Sequence, residues 1–169
     1  MRQWMPISTS PKGRLALAAV RAFGARPFAE VPVVELAADA GVTTGALYHH
    51  FGSKLGLYAF VRADVERRLL DRVEGALAGS AEVDDLIRAL AVGFDFVVRD
   101  DVIHLLDAPP PVESGPDALA EVIAEQFVPR SDALGAMLAA AWRAAVREVG
   151  AGADAEQMRS ALLSLSVRT

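Results

Sequence analysis

The chain has 169 residues, of which 53% are hydrophobic and 23% are charged, as is typical of a globular protein with a substantial core. It contains no cysteine, which excludes disulfides, zinc–cysteine sites and cysteine nucleophiles. The net charge is −5, but residues 1–62 hold seven basic and three acidic side chains (+4), whereas residues 63–169 hold ten and nineteen (−9). A basic segment followed by an acidic one suits a protein that meets phosphates at one end only.

The pattern of apolar residues predicts an all-α fold. Apolar residues recur with helical spacing almost throughout, and no run of alternating β-branched residues is long enough for a strand. No apolar run approaches the roughly 18 residues that span a bilayer. Residues 1–10 lack the long apolar region of a secretory signal, so we expect no membrane partner and a cytoplasmic location.

The first helix is predicted from Pro11 to about Gly24. Ser10 is a suitable N-cap residue, and proline at the first helical position loses no hydrogen bond because its missing N–H would have had no partner. The sequence from Gly24 to Pro27 ends this helix.

Residues 33–54 predict two short helices joined by a tight turn. Leu36 gives the first of them an inward face, and Gly41 stands where it must end, since glycine tolerates a positive φ. Thr43 is placed to cap the second helix, which Leu47 directs inward. This is the pattern of a helix-turn-helix, whose second helix lies in the major groove of DNA.

The remaining elements are also predicted to be helical. A long fourth helix begins at Ser53 and runs to about Gly79, and Ser80 opens a fifth. Shorter helices are expected over residues 101–106 and 118–127, and longer ones over residues 131–149 and from residue 154 onward. Residues 108–116 contain four prolines and predict a surface loop or a stiff polyproline arm.

With these residues in place, the chain resembles the tetracycline-repressor (TetR) family of bacterial transcriptional regulators. The match covers about the first 60 residues and is carried by Ala22, Phe23, Leu36–Val42, Leu47–Lys54 and Leu57. The resemblance implies an N-terminal three-helix DNA-binding domain over residues 1–53. It also implies a helical-bundle ligand-binding and dimerisation domain over residues 54–169. The expected partners are double-stranded operator DNA, a second copy through the last two helices, and an unknown small-molecule effector.

The candidate DNA contacts lie on and beside the second helix of the motif. Thr43, Thr44 and Gly45 stand at its N-terminal end, which meets base edges, although Thr43 has the alternative of acting as a cap only. The resemblance assigns a phosphate contact to Tyr48, whose alternative is packing on the first helix. His49 is expected to face outward, towards a base or a phosphate.

Lys54 follows the Ser53 cap, and its ammonium together with the free N–H groups of that helix end suits one phosphate. His50 either faces DNA or packs inward. Adjacent histidines of a helix point about 100° apart, so His49 and His50 make a poor metal pair, and we expect neither a metal nor a cofactor. Lys12 and Arg14 either reach the flanking DNA backbone or remain solvated surface charges.

For the second domain, the resemblance implies an apolar cavity and a dimer interface. The candidate cavity residues are Tyr58, Phe94, Val98, His104, Phe127 and Trp142, each of which has the alternative of being an ordinary core residue. The candidate dimer residues on the last two helices are Leu134, Ala136, Met137, Leu138, Ala140, Ala141, Ala144, Met158, Leu162 and Leu165. The sequence does not separate those facing a partner from those in the monomer core.

The sequence therefore predicts a dimeric TetR-type transcriptional regulator, specifically a repressor that a small-molecule effector releases from its operator. One alternative is a helical small-molecule-binding dimer module that does not bind DNA. The other is an enzyme using the cavity of the second domain. Against an enzyme stand the absence of cysteine, the presence of only three histidines and the lack of a glycine-rich phosphate loop.

Overall fold

A computed structural model describes residues 9–78, 83–108 and 115–165 of the chain. Every regular element in these ranges is a helix, so the predicted all-α class is confirmed. The elements are α1 (Pro11–Ala25), a 3₁₀ turn (Phe28–Glu30), α2 (Val33–Asp39), α3 (Thr44–Phe51), α4 (Lys54–Leu77), α5 (Val83–Arg99), α6 (Ile103–Leu106), α7 (Ala118–Ala124), α8 (Asp132–Gly150) and α9 (Ala155–Leu163). The predicted helix start at Ser80 and most of the proline-rich loop, residues 109–114, lie outside the described residues.

The chain divides into two compact units, residues 1–66 and residues 67–169. We call their described parts the N-terminal unit (residues 9–66) and the C-terminal unit (described residues between 67 and 165). The division falls inside α4, whereas the domain boundary expected from the sequence, between residues 53 and 54, coincides with the beginning of that helix.

The N-terminal unit is built around large apolar side chains from four helices. Leu15 of α1, Leu36 of α2, Leu47 of α3 and Leu57 of α4 are each 0% exposed. The predicted start of α1 is confirmed, because the Ser10 hydroxyl accepts a hydrogen bond from the Gly13 amide at 3.0 Å. Burial of these leucines is the main favourable contribution to the free energy of packing the helices, because isolated helices this short are only marginally stable.

The turn between α2 and α3 has the predicted chemistry. Gly41 follows Ala40, the C-cap residue of α2, and has φ +62°. A residue with a side chain would be strained in this conformation. The Val42 amide donates to the Ala37 carbonyl at 2.9 Å and closes the end of α2. Thr43 is the N-cap of α3, and its hydroxyl accepts from the Ala46 amide at 3.3 Å. The capping role predicted for Thr43 is confirmed.

In the C-terminal unit, small residues allow close helix packing. A Cβ on Gly135 of α8 would lie 2.4 Å from the Ala120 carbonyl oxygen of α7, so only glycine fits this crossing. Trp142 is 1% exposed, and its indole N–H donates to the Leu90 carbonyl of α5 at 2.9 Å. These contacts join α5, α7 and α8 in one core.

Ion pairs connect the helices of the same unit. The Arg143 guanidinium donates to both carboxylate oxygens of Asp117, at 2.6 and 2.7 Å. Asp117 also caps α7 by accepting from the Ala120 amide. Burial opposes ionisation of Asp117, but the bonds from Arg143 and the amide outweigh it and lower the pKa of this carboxyl below its ordinary value.

Among the described helices, none combines the length and the apolar character needed to cross a membrane.

Candidate nucleic-acid interface

α3 buries one face and leaves the other in solvent. Leu47 is completely buried, whereas the neighbouring Tyr48 is 52% exposed. Thr43, Gly45 and His49 are also exposed. The N-terminal end and outer side of this helix are thus free to meet a partner. Thr44, the first residue of α3, is half-buried.

Gly45 has no steric reason to be glycine within the N-terminal unit. A Cβ built there would meet only the Thr43 hydroxyl oxygen, at an ordinary contact distance of 3.6 Å. A glycine inside a helix costs about 0.5–1 kcal/mol relative to alanine. The protein therefore tolerates a local loss of stability at the point where the α3 backbone is most open to a partner.

The two histidines of α3 lie in different surroundings. Their rings meet edge-on with centroids 5.1 Å apart. His49 is exposed, whereas His50 is half-buried, and its ring centroid lies 6.4 Å from that of Phe51. His49 therefore has the outward position expected from the sequence, and His50 lies between the two alternatives.

Lys54, the candidate phosphate contact, is held at the beginning of α4. Its ammonium donates to the Phe28 carbonyl and lies 4.2 Å from the centroid of the Phe28 ring. The Ser53 hydroxyl caps the same helix end by accepting from the Gly56 amide at 2.9 Å. Because an ammonium has three donors, one bond to a carbonyl leaves donors for an anion.

Other basic side chains of the N-terminal unit also have uncharged partners. The Lys12 ammonium lies 5.6 Å from the Phe51 ring centroid and 5.2 Å from that of Phe60. Arg14 donates to two backbone carbonyls. Since rings and carbonyls do not cancel a unit charge, these side chains remain a source of positive potential. Arg26 differs, because it pairs with Glu35.

The residues expected to line a cavity have different surroundings. Tyr58 belongs to the N-terminal unit, where its ring lies edge-on to those of Phe23 and Phe28, with centroids 5.2 and 5.1 Å away. Trp142 and Phe127 are buried in the C-terminal core at 1% and 4% exposure. The His104 ring contacts the Asp107 carboxylate, with Nδ1 and Oδ2 3.2 Å apart.

Phe94 and Val98, the remaining two, line a groove of about 310 Å³ between α5 and α9. Its other lining residues are Asp95, Arg99, Ala155, Glu156 and Arg159. Arg159 donates to the Asp95 carboxylate at 2.8 Å across the groove, which raises the pKa of the guanidinium. These charged residues carry no distinctive signal in the sequence, because oppositely charged pairs at helical spacing occur on most solvated helix faces.

The candidate dimer residues on the last two helices differ in burial, which divides them into core and surface positions. Leu138 of α8 and Leu162 of α9 are 8% and 4% exposed and belong to the monomer core. Leu134, Ala141 and Met158 are half-buried. The exposed candidates are Ala136, Met137, Ala140, Ala144 and Leu165, with Met137 at 67% exposure.

Comparisons with known proteins agree with this arrangement. Residues 16–60, which run from α1 into α4, match the family described as "Bacterial regulatory proteins, tetR family". A curated relative, the HTH-type transcriptional activator FasR of Mycolicibacterium smegmatis, is 34% identical over 90 residues. That alignment covers 53% of this chain and 41% of FasR, so the chain spans less than half the length of this relative.

A solved structure shares the fold over nearly the whole chain. The TetR-like transcriptional regulator from Rhodococcus sp. RHA1 superimposes with a TM-score of 0.69 and 23% sequence identity. The superposition covers 95% of each chain. The helical arrangement of this chain is therefore one already seen in that protein.

Proposed function

Because the chain belongs to the tetR family of bacterial transcriptional regulators, we propose that it binds double-stranded operator DNA through α3, as a homodimer. We further propose that a small molecule bound by the C-terminal unit releases it from DNA. The observation that carries the proposal is the exposed outer face of α3, with an unhindered glycine at its N-terminal end, in the basic part of the chain.

In the proposed complex, contacts fall into two kinds. Thr43, Thr44 and Gly45 meet base edges, since they stand at the helix end that enters the groove. Tyr48 and Lys54 contact phosphates, and His49 contacts a base or a phosphate. Two copies of α3 would meet half-sites about 34–36 Å apart, or a multiple of that distance.

The proposed dimer uses the outer faces of α8 and α9. Small exposed residues at Ala136, Ala140 and Ala144 would allow the helices of two copies to approach closely, with Met137 supplying apolar area. An obligate interface buries about 2,000 Å² or more. Met137→Glu should convert the dimer to monomer in light scattering, and the exposed Ala133→Glu on the same helix tests how far the interface extends.

For the effector, the groove between α5 and α9 is the proposed site. Phe94 and Val98 give it an apolar floor, and the charged rim favours a small amphipathic compound. Binding releases DNA only if the effector prefers the conformation that fits DNA poorly. A compound that raises the Tm of the wild type but not of Val98→Trp would identify this groove as its site.

We propose repression as the direction of regulation, and FasR, which is named an activator, represents the opposite outcome. A reporter gene behind the bound site distinguishes the two. The match to a family of bacterial regulatory proteins supports a regulator rather than an enzyme. We also propose a cytoplasmic location.

The experiment that tests the proposal is selection of DNA from a random duplex library by the full chain, followed by footprinting. The expected result is an inverted repeat protected on one face of the duplex at two positions. Enrichment of no sequence, together with dimerisation and compound binding, would favour the alternative of a binding module that does not recognise DNA.

A further inference from the structure

Arg14 makes two hydrogen bonds that join distant parts of the N-terminal unit. Its Nε donates to the Ala40 carbonyl oxygen at 2.8 Å. Its Nη1 donates to the Thr9 carbonyl oxygen, also at 2.8 Å. One guanidinium therefore fastens the end of α2 to the residue that precedes the Ser10 cap of α1.

The Ala40 carbonyl needs such a donor. The last four carbonyls of a helix have no partner within the helix, and Ala40 is only 3% exposed. A buried acceptor that loses its donor carries the full desolvation penalty. Arg14 supplies that donor from another helix, at the residue where α2 gives way to the turn.

The bond fixes the part of the turn that leads into α3. Ala40 is followed by Gly41 with φ +62°, by Val42 and by the Thr43 cap, so only three residues separate it from the first residue of α3. A displacement of the Ala40 carbonyl would therefore move the N-terminal end of α3. Leu47, completely buried, anchors the middle of the same helix.

We propose that Arg14 is a positioning residue for DNA recognition, which sets the N-terminal end of α3 and does not itself contact a phosphate. The inference rests on the proposed function, since it concerns the same recognition helix. The planar guanidinium suits this role, because its donors point in fixed directions at two acceptors, whereas a lysine has one nitrogen. Binding sites lose selectivity when their groups shift by about 0.5 Å.

The test compares Arg14→Lys, Arg14→Gln and Arg14→Ala with the wild type, on the selected operator and on a random duplex. All three variants should bind the operator about tenfold or more weakly. For Arg14→Lys, which keeps the charge, affinity for the random duplex should stay within about twofold, because non-specific binding depends on charge and not on helix placement. Arg21→Ala, which removes an exposed arginine of the same helix, serves as the control and should keep the ratio of the two affinities.

Arg14→Lys is the decisive variant, because it keeps the charge and removes the two-carbonyl geometry. Operator affinity equal to that of the wild type would overturn the inference. So would equal losses on both duplexes in Arg14→Gln and Arg14→Ala, with the salt slope on random DNA falling by about 0.9, the sign of one lost phosphate contact.

Hydrogen exchange of the free protein gives a second measurement. In Arg14→Lys, the Val42 amide should exchange faster while amides in the middle of α1 stay protected. Unchanged exchange at Val42 would count against the positioning role. If the wild type selects no DNA sequence, the proposed function fails, whereas the exchange result still decides whether Arg14 holds the turn.

Discussion

Several basic side chains of the two units have different kinds of partner, with Arg26 and Arg72 as exceptions. In the N-terminal unit, Lys54 lies over an aromatic ring and Arg14 donates to backbone carbonyls. In the C-terminal unit, Arg143 and Arg159 donate to carboxylates, and Arg130 contacts three of them. Carboxylates cancel the charge they bind, whereas rings and carbonyls fix its position without cancelling it.

The difference shows how one acidic chain can still present a positive surface. In the C-terminal unit, where the net charge is strongly negative, Arg143 and Arg159 connect separate segments. In the N-terminal unit, Lys12 and Lys54 are held in place with their charge available to a polyanion. We therefore expect salt to act mainly on DNA binding by the N-terminal unit, and acid to act mainly on the stability of the C-terminal unit.

The largest expected difference is in salt dependence, between DNA binding by the N-terminal unit and dimerisation through the C-terminal unit. If about six to ten phosphates are contacted, operator affinity should fall about a thousandfold or more between about 50 and 200 mM salt. Dimerisation through apolar faces should change by less than about tenfold over the same range. Fluorescence anisotropy on labelled operator and sedimentation of the free protein measure the two quantities, and parallel losses would remove the contrast.

Asp117→Asn tests the ion pair that joins α7 to α8. Asparagine still caps α7, so the change isolates the loss of charge beside Arg143, which is 4% exposed. The free energy of unfolding should fall by about 3 kcal/mol in urea denaturation. Asp132→Asn removes a carboxylate that is 80% exposed and should cost less than about 1 kcal/mol. Equal effects would show that burial does not strengthen the first pair.

The same pair predicts an acid limit. Because the pKa of Asp117 is lowered in the folded state, its stabilisation is present above the ordinary value of 3.8 and is lost as the pH falls through the lowered one. The stability difference between wild type and Asp117→Asn should therefore shrink below that pH. A difference that stays constant down to about pH 2 would contradict the shift.

Lys54→Met separates the charge of Lys54 from its packing. The methionine side chain can still lie over the Phe28 ring, so the N-terminal unit should keep its stability. Affinities for operator and random DNA should fall equally, by about tenfold, with the salt slope reduced by about 0.9. Lys54→Ala should show the same loss plus a lower Tm. An unchanged slope in both variants would remove Lys54 from the phosphate contacts.

Gly45→Ala should change stability only slightly, and in the favourable direction. The free energy of unfolding should rise by about 0.5–1 kcal/mol, because nothing within the unit obstructs a methyl group. Operator affinity should fall, since that methyl lies on the exposed end of α3. Gly75→Ala in α4 is the matched control, because it is equally unobstructed and should stabilise the protein without changing DNA affinity. Unchanged affinity in Gly45→Ala would place the DNA elsewhere.

Local features of this fold could be predicted from the sequence. The caps at Ser10, Thr43 and Asp154 were predictable because the cap oxygen and the amide that donates to it lie three residues apart, and each bond is present. The turn at Gly41 was also predictable from local sequence, because the positive φ that it needs is one that glycine adopts readily.

Contacts between distant segments could not be predicted. Arg14 and Lys54 both donate to backbone carbonyls 26 residues away, and a carbonyl acceptor carries no side-chain signature. Tyr58 was expected beside a cavity because the family resemblance implies a cavity in the second domain, but the resemblance does not say which neighbours its ring meets. The groove between α5 and α9 depends on helices that are far apart in the chain.

The placement of lysine has a chemical consequence. The chain has two lysines, Lys12 and Lys54, and both lie within residues 1–62, while residues 63–169 contain ten arginines and no lysine. Acylation of amines would therefore lower the charge of residues 1–62 from +4 to +2 and leave residues 63–169 at −9. Arginine does not react in this way, so a single class of covalent modification would weaken the attraction for phosphate and leave the ion pairs of the C-terminal unit intact.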